Sequence, residues 1–138
     1  MKPNLIVTSH GNLASEVVKS ASMIVGEVAN VSTVCMAAED GLEGTTVKMK
    51  DAISKYAGKP IVILADLFGG TPFNVAMMLS KQQSNVKVVS GLNLGMVVEY
   101  AVSQLEDETE LAQYLCTIGK AGIVVPQEDE EDDDLEIE

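Results

Sequence analysis

The chain has 138 residues, of which 46% are hydrophobic and only 4% aromatic, and its formal net charge is −12. This length and composition predict a single domain with an aliphatic core, and the acidic balance excludes nucleic-acid binding, which needs a basic surface. No apolar stretch approaches the roughly 18 residues of a membrane span and no secretory leader is present, so we expect a cytoplasmic protein.

Apolar runs and helical periodicities alternate along the chain, separated by short turns. They predict, in order, a strand at 5–8, a helix at 13–25, a strand at 31–36, a helix at 42–56, a strand at 60–65, a helix opening at 71–72 and ending near 80, a strand at 86–90, helices at 93–105 and 108–118, and a short strand at 122–125. Asn12 and Thr71 are the expected N-caps of the first and third helices, with Pro72 at the first helical position of the third.

The third strand contains an uninterrupted apolar run at 61–64, which is typical of a strand covered on both faces and so of a parallel sheet. The alternation of strands and helices with short linkers predicts an α/β fold. We expect a doubly wound open sheet of four parallel strands in the order 2-1-3-4, with helices on both faces and a short C-terminal edge strand. In that order strands 1 and 3 are neighbours, and ligands bind beyond their carboxyl ends.

The only histidine of the chain, His10, ends the first strand, and Asp66 ends the third. The predicted sheet therefore brings both side chains to its topological switch point, which lies between strands 1 and 3, where the strand order reverses. There, Asp66 would accept a hydrogen bond from one ring nitrogen of His10, which fixes the tautomer and leaves the other nitrogen as a nucleophile. Two plainer roles stay open: a histidine that caps a helix or fills a rim, and an aspartate that caps a turn.

A loop with anion-binding features follows Asp66. The turn Gly69-Gly70-Thr71 runs into a predicted helix N-terminus, whose free backbone N–H groups and positive dipole end favour an anion, with phosphate the natural candidate. The turn after the first strand, Gly11-Asn12, offers a second set of helix N-terminal donors. We therefore predict phosphate binding between these two turns.

All nine basic residues are lysines, so the chain has no guanidinium clamp for an anion. None of these lysines falls in the loops predicted at the site, whereas Glu39 and Asp40 follow the second strand there. We therefore expect cationic stabilisation to come from a docking partner with a basic patch.

Other chemistries lack the residues they need. The sequence has no G-x-S-x-G elbow, no second histidine to serve a triad, no zinc-ligand cluster and no G-x-x-x-x-G-K-[ST] phosphate loop. A receiver domain would need an acidic pair after the first strand, where this chain has Ser9-His10-Gly11. We therefore expect no metal and no cofactor.

With T-S-H-G at the end of strand 1 and A-D-L-F-G-G-T-P-F-N after strand 3, the chain resembles the enzyme IIA domain of the mannose family of the bacterial sugar phosphotransferase system. The resemblance covers about residues 3–125. It implies a phosphotransferase in which His10 takes a phosphoryl group from the histidine-containing phosphocarrier protein and passes it to a IIB component. It also implies that Asp66 orients the ring through Nδ1, that Nε2 is the acceptor, and that the hydroxyl of Thr71 lies at the phosphate.

The resemblance further implies a homodimer in the cytoplasm, associated through IIB with the membrane transporter components IIC and IID. Because the chain ends after one domain, we expect its IIB partner to be a separate protein. Two alternatives stay open: a phosphotransfer subunit related to the dihydroxyacetone kinase system, against which G-G-T-P-F-N argues, and a non-catalytic regulatory binding module of the same fold. The transported sugar is not encoded in a IIA sequence; mannose, fructose, sorbose, N-acetylhexosamine and gluconate are all compatible.

The acidic residues are concentrated at the C-terminus, since nine of the 21 lie in residues 128–138. Such a like-charge run repels itself and cannot bury apolar surface. We therefore predict a IIA domain over residues 1–126 and an acidic disordered tail over residues 127–138, which promotes solubility or attracts a basic partner.

Overall fold

The structure of the protein, a computed structural model, describes residues 1–128. Strands and helices follow each other in the order β1 (Asn4–His10), α1 (Leu13–Val25), β2 (Val31–Met36), α2 (Gly41–Ser54), β3 (Ile61–Ala65), α3 (Thr71–Ser80), β4 (Val86–Ser90), α4 (Leu94–Val102) and α5 (Glu108–Ala121). No helix within residues 1–128 is both long enough and apolar enough to cross a bilayer.

The four strands form one sheet in the order β2-β1-β3-β4, and every neighbouring pair is parallel. This confirms the predicted fold class and strand order. The register pairs Thr8 of β1 with Ala65 of β3, and His10 with Met36 of β2. As a result, β1 extends beyond β3 at the carboxyl edge of the sheet and carries His10 at its exposed end.

Each face of the sheet is covered by its own apolar cluster, because successive side chains of a strand point to opposite faces. Leu5 and Val7 of β1 pack with residues of α1, α4 and α5, whereas Ile6 packs with residues of α2 and α3. All five residues of β3 are buried, as its uninterrupted apolar sequence predicts. The two helical layers therefore leave only the edges of the sheet accessible.

The predicted C-terminal strand at 122–125 is not formed. Helix α5 continues to Ala121, and the N–H groups of Gly122 and Ile123 donate to carbonyls of its last turn. Ile123 and Val125 are 80% and 93% exposed. The high β-propensity of these residues is realised only when a neighbouring strand supplies hydrogen bonds and packing, and no such strand lies beside them within residues 1–128.

Two predicted N-caps also differ from the structure. Helix α3 begins at Thr71 itself, with Gly70 in the N-cap position, and the Asn12 side chain makes no capping bond to α1. The buried hydroxyl of Ser9 accepts the N–H of Ala14 instead, at 2.7 Å. A cap from the preceding strand leaves Asn12 exposed at the edge where the strands end.

Helix α4 ends at Val102, short of the predicted 105, because Ser103 has extended backbone angles. Of the predicted acidic tail, residues 129–138 lie outside the described part of the chain. The division into a domain and a tail therefore stays a prediction.

Candidate functional site

His10 and Asp66 meet at the carboxyl edge of the two central strands. Asp66 follows β3 directly, and its backbone N–H donates to the carbonyl of Thr8 at 3.2 Å, which prolongs the pairing of β1 and β3 by one bond. The carboxylate of Asp66 is thereby placed under the last residue of β1. The convergence expected from the strand order is present in the structure.

A single carboxylate oxygen holds His10 at two points. Oδ2 of Asp66 accepts the backbone N–H of His10 at 2.9 Å and lies 2.9 Å from the ring Nδ1. Because an ionised carboxylate can only accept hydrogen bonds, this contact requires the proton on Nδ1. The lone pair of the neutral ring is then on Nε2.

The two partners differ in exposure. The His10 side chain is 44% exposed, whereas that of Asp66 is only 11% exposed. The other oxygen of Asp66, Oδ1, is buried without a hydrogen-bond partner in residues 1–128. Both side-chain hydrogen bonds of Asp66 in that range therefore go to His10 and none to a turn, so the geometry favours an orienting role over turn capping.

The loop between β3 and α3 uses part of its hydrogen-bonding capacity internally. The N–H of Gly70 donates to the carbonyl of Leu67 at 3.1 Å, and the Asn74 amide donates to the carbonyl of Gly69 at 3.0 Å. The N–H groups of Thr71 and Phe73, in the first turn of α3, have no acceptor in the described residues. They are the donors that α3 can offer to an anion.

The loop between β1 and α1 is engaged in a similar way. Gly11 has φ +56°, and its N–H donates to the carbonyl of Met36 at 2.8 Å. The N–H groups of Leu13 and Ser15, in the first turn of α1, have no acceptor within residues 1–128. Two helix N-termini with free donors thus begin at the edge where His10 is exposed.

The predicted phosphate-binding residues therefore have different geometries. Gly11 and Gly70 lie at the site, but their N–H groups are already bonded to protein carbonyls. Gly69 has φ +83°, a conformation that favours glycine, and makes the turn into α3 possible. Thr71 is the residue of this set whose hydroxyl and N–H are both without a partner in the described chain.

Exposed apolar side chains lie at the carboxyl edge of the sheet and form an apolar rim that is not among the features predicted from the sequence. The rim consists of large side chains in the loops and first helical turns that follow three strands, namely Leu13, Leu42, Leu67 and Phe68, the last of which is 76% exposed. The ring of Phe68 packs on Phe73 with 4.9 Å between centroids. The sequence signal that could have revealed this rim is the presence of large apolar residues in predicted loops and first helical turns, where solvent exposure is expected.

The acidic rim predicted after β2 is partly neutralised. Asp40 accepts a hydrogen bond from Lys48 Nζ at 2.6 Å and from the N–H of Ala37 at 2.7 Å. The hydrogen bond from Lys48, followed by that from Ala37, lowers the pKa of Asp40 below its usual value. Asp40 is therefore a loop-stabilising residue, and Glu39 is the exposed acidic group beside it.

Metal ligation has no visible basis at this edge. Within the described range, no group of three or more His, Cys, Asp or Glu side chains is close enough to hold a metal ion. The arrangement of His10 and Asp66 instead supplies an oriented nitrogen nucleophile beside free backbone donors.

Known proteins are similar to this chain in both fold and sequence. It is 47% identical to the mannose/sorbose specific IIA subunit of the phosphotransferase system from Enterococcus faecalis, with a TM-score of 0.89 over 92% of this chain and 96% of that one. It is 31% identical to the sorbose-specific EIIA component of Klebsiella pneumoniae, over 91% of this chain and 93% of that protein. It is 27% identical to the mannose-specific EIIAB component of Escherichia coli K12, over 86% of this chain but only 38% of that longer protein.

The fold and the site define a class: an open parallel α/β domain that presents an aspartate-held histidine at its switch point. Residues 4–114 match the EIIA-man family, described as the PTS system fructose IIA component. The chain belongs to this family and is a sugar-specific IIA component of the phosphotransferase system.

Proposed function

We propose that the protein is a phosphocarrier that receives a phosphoryl group on Nε2 of His10 from the histidine-containing phosphocarrier protein and transfers it to a IIB component. The observation that carries this proposal is the double contact of Asp66 Oδ2 with the backbone N–H and the Nδ1 of His10. It directs Nε2 outward as the available nucleophile. Family membership supports the same reaction class.

In the proposed step, the Nε2 lone pair forms a bond to phosphorus while the bond between phosphorus and the donor's histidine breaks. The electron pair of the broken bond returns to the donor ring, and the proton on Nδ1 of His10 stays in place. The His10 ring gains positive character during transfer, which the adjacent carboxylate of Asp66 stabilises. Transfer to IIB is the same displacement in the opposite direction.

The phosphoryl oxygens need donors, which we assign to the hydroxyl and N–H of Thr71 and to the N–H of Phe73. Gly11, Gly69 and Gly70 contribute by shape, since small residues let a phosphoryl group approach the backbone. Because Lys48 is bonded to Asp40, we infer that cationic stabilisation arrives with the partner. A carrier without its own cation holds the phosphoryl group loosely enough to release it.

The partners would dock on the apolar rim around His10. Exposed apolar surface next to a reactive group is typical of a protein interaction site. We propose that both the donor and IIB cover this rim in turn, at the cytoplasmic side of a transporter that contains IIC and IID, and that the protein works as a homodimer. Relatives named for mannose, sorbose and fructose favour a sugar of that kind as the transported substrate.

The proposal is tested by incubating the protein with labelled phosphoenolpyruvate, enzyme I and the histidine-containing phosphocarrier protein. We expect one phosphoryl group per chain, labile in acid and stable in base, as a phosphoramidate is. Addition of a IIB protein should then remove the label. A protein that stays unlabelled while the phosphocarrier is itself phosphorylated would be a binding module of the same fold.

A further inference from the structure

Two adjacent glycines in the loop before α3 have different backbone requirements. Gly69 has φ +83°, in the left-handed region, and a Cβ there would meet nothing within 4 Å. Gly70 has φ −76° and ψ 166°, an extended conformation that any residue adopts. The backbone therefore explains a glycine at 69 and does not explain one at 70.

The imidazole of His10 occupies the space that a side chain at position 70 would need. A Cβ on Gly70 would lie 2.7 Å from Cε1 and 3.4 Å from Nε2 of His10, and 3.3 Å from the carbonyl oxygen of Leu67. Carbon atoms in van der Waals contact are about 3.5–4.0 Å apart, so the ring and a methyl group at 70 exclude each other.

Neither side of this contact can move without losing hydrogen bonds. The ring is held through Nδ1 by Asp66 Oδ2 at 2.9 Å. Gly70 is held by its N–H, which donates to the carbonyl of Leu67, and by its carbonyl, which accepts the N–H of Asn74 at 2.9 Å. A side chain at 70 would therefore break either the bond to Asp66 or the turn that starts α3.

We propose that Gly70 is a positioning residue: its missing side chain lets the backbone of the loop close on the imidazole, so that His10 is confined between Asp66 and Gly70. Gly70 thus acts through the space that its missing side chain leaves for the His10 ring, and not by donating its N–H to phosphate, because that N–H is bonded to Leu67. The same gap leaves room beside Nε2 for the oxygens of a phosphoryl group, an inference that rests on the proposed function. A methyl group 3.4 Å from Nε2 would crowd them.

Gly70→Ala tests this proposal, with Gly95→Ala as the matched control. A Cβ on Gly95, in α4, would be 3.6 Å from Asn93 Oδ1, an ordinary contact, and the position has no left-handed φ. Both variants add one methyl group near the carboxyl edge of the sheet, and only one of them touches His10.

The first measurement is the ¹⁵N spectrum of the His10 ring, which reports the tautomer without any phosphotransfer partner. In the wild type and in Gly95→Ala we expect a single tautomer protonated on Nδ1. In Gly70→Ala we expect a shift toward the mixture of Nδ1-protonated and Nε2-protonated tautomers that an unrestrained imidazole shows. The amide spectrum should otherwise be that of the folded protein.

The second measurement is the rate of phosphorylation by the histidine-containing phosphocarrier protein. We expect Gly70→Ala to be slower by about 10- to 100-fold, which is the scale of effects from misplacing a reacting group, and Gly95→Ala to match the wild type. Ring signals and rate in Gly70→Ala equal to those of Gly95→Ala would overturn the proposal. So would a Gly70→Ala protein that loses its folded spectrum, since glycine would then serve the fold. If the wild type is not phosphorylated, the proposed function fails, and the ring spectrum still decides the role of Gly70.

Discussion

The two edges of the sheet use their polar groups for different purposes. At the amino edge, the hydroxyl of Tyr100 donates to the carbonyl of Pro3 at 2.7 Å, and Lys2 Nζ donates to the carbonyl of Tyr100 at 2.8 Å. At the carboxyl edge, the ring of His10 is 44% exposed and the hydroxyl of Thr71 has no partner in residues 1–128. Polar groups at the first edge stabilise the fold, whereas those at the second remain available for chemistry.

Substitutions at the two edges should therefore separate activity from stability. Changes at the carboxyl edge should slow phosphotransfer and leave the melting temperature nearly constant. Changes at the amino edge should lower the melting temperature and leave the transfer rate of the folded protein unchanged.

The largest effect is expected from His10→Ala, which removes the nucleophile. Phosphorylation should be abolished, because the chain has no other histidine. The melting temperature should change little, since the side chain is exposed and packs on no apolar cluster. Label transfer and thermal unfolding measured on the same preparation test both statements. Label retained by this variant would show that another residue accepts the phosphoryl group.

Asp66→Asn should have the next largest effect. An amide can present its NH₂ to Nδ1, which favours the wrong tautomer, and it does not stabilise a positively charged ring. We expect transfer to slow by about 10-fold to 10⁴-fold, the range observed when orienting partners of reactive histidines are removed. Stopped-flow or quench-flow phosphorylation measures this, with circular dichroism to show an unchanged fold. A wild-type rate would mean that Asp66 only stabilises the loop.

Thr71→Val should produce a smaller loss, because it removes one hydroxyl and keeps the shape of the side chain. A hydrogen bond contributes about 0.5–1.5 kcal/mol, or up to about 3 kcal/mol when the partner is charged. Transfer should slow by the corresponding factor at every salt concentration, since the lost bond is internal to the site. Rates across a salt series, compared with the wild type, measure it. A deficit that vanishes at one end of the series would place Thr71 in partner docking.

The position of the site could be predicted from the sequence, because parallel strand order alone brings the residues after β1 and β3 together. The strand order predicts that His10 and Asp66 lie close together, and the register of the sheet and the contact between their side chains confirm it. Which backbone N–H groups of the loop are free to bind an anion could not be predicted. The N–H of Gly70 is bonded to the carbonyl of Leu67 in a turn whose third residue is Gly69, with positive φ. A glycine at that position favours such a turn, but residue types do not show whether the hydrogen bond of the turn forms.

The prediction of a C-terminal strand at 122–125 was wrong for a different physical reason. The residues at 123–125 have the composition of a strand, but a strand exists only where another backbone pairs with it. Likewise, the sequence predicts Asp40 as a free charge on the rim, but Lys48 of α2, eight residues further along the chain, donates a hydrogen bond to it. Local pattern predicts an element or a charge; its partner is decided by tertiary structure.

At the amino edge, Tyr100→Phe tests the stabilising half of the comparison. The hydroxyl that it removes is fully buried and bonded to Pro3, so the carbonyl loses a partner. We expect the free energy of unfolding to be about 0.5–1.5 kcal/mol lower than that of the wild type. The phosphorylation rate should be unchanged at a temperature where both proteins are folded. Chemical denaturation and the transfer assay measure the two quantities. A slower transfer in the folded variant would break the separation between the two edges.

The smallest and most specific expectation concerns how the stability of the fold depends on pH in the alkaline range. Burial raises the pKa of the Tyr100 phenol well above its usual value. The folded state thus keeps this proton at pH values where the unfolded chain releases it, so the unfolded state binds fewer protons and stability falls as pH rises above about 10. Below that pH the contribution is fully present. Tyr100→Phe has no phenol at this position, so the difference in melting temperature between wild type and variant should shrink as pH rises through this window, while Lys2 and Tyr114 titrate in both proteins. A difference that stays constant from pH 8 to about pH 11 would mean that the buried hydroxyl is not what couples this edge to protons.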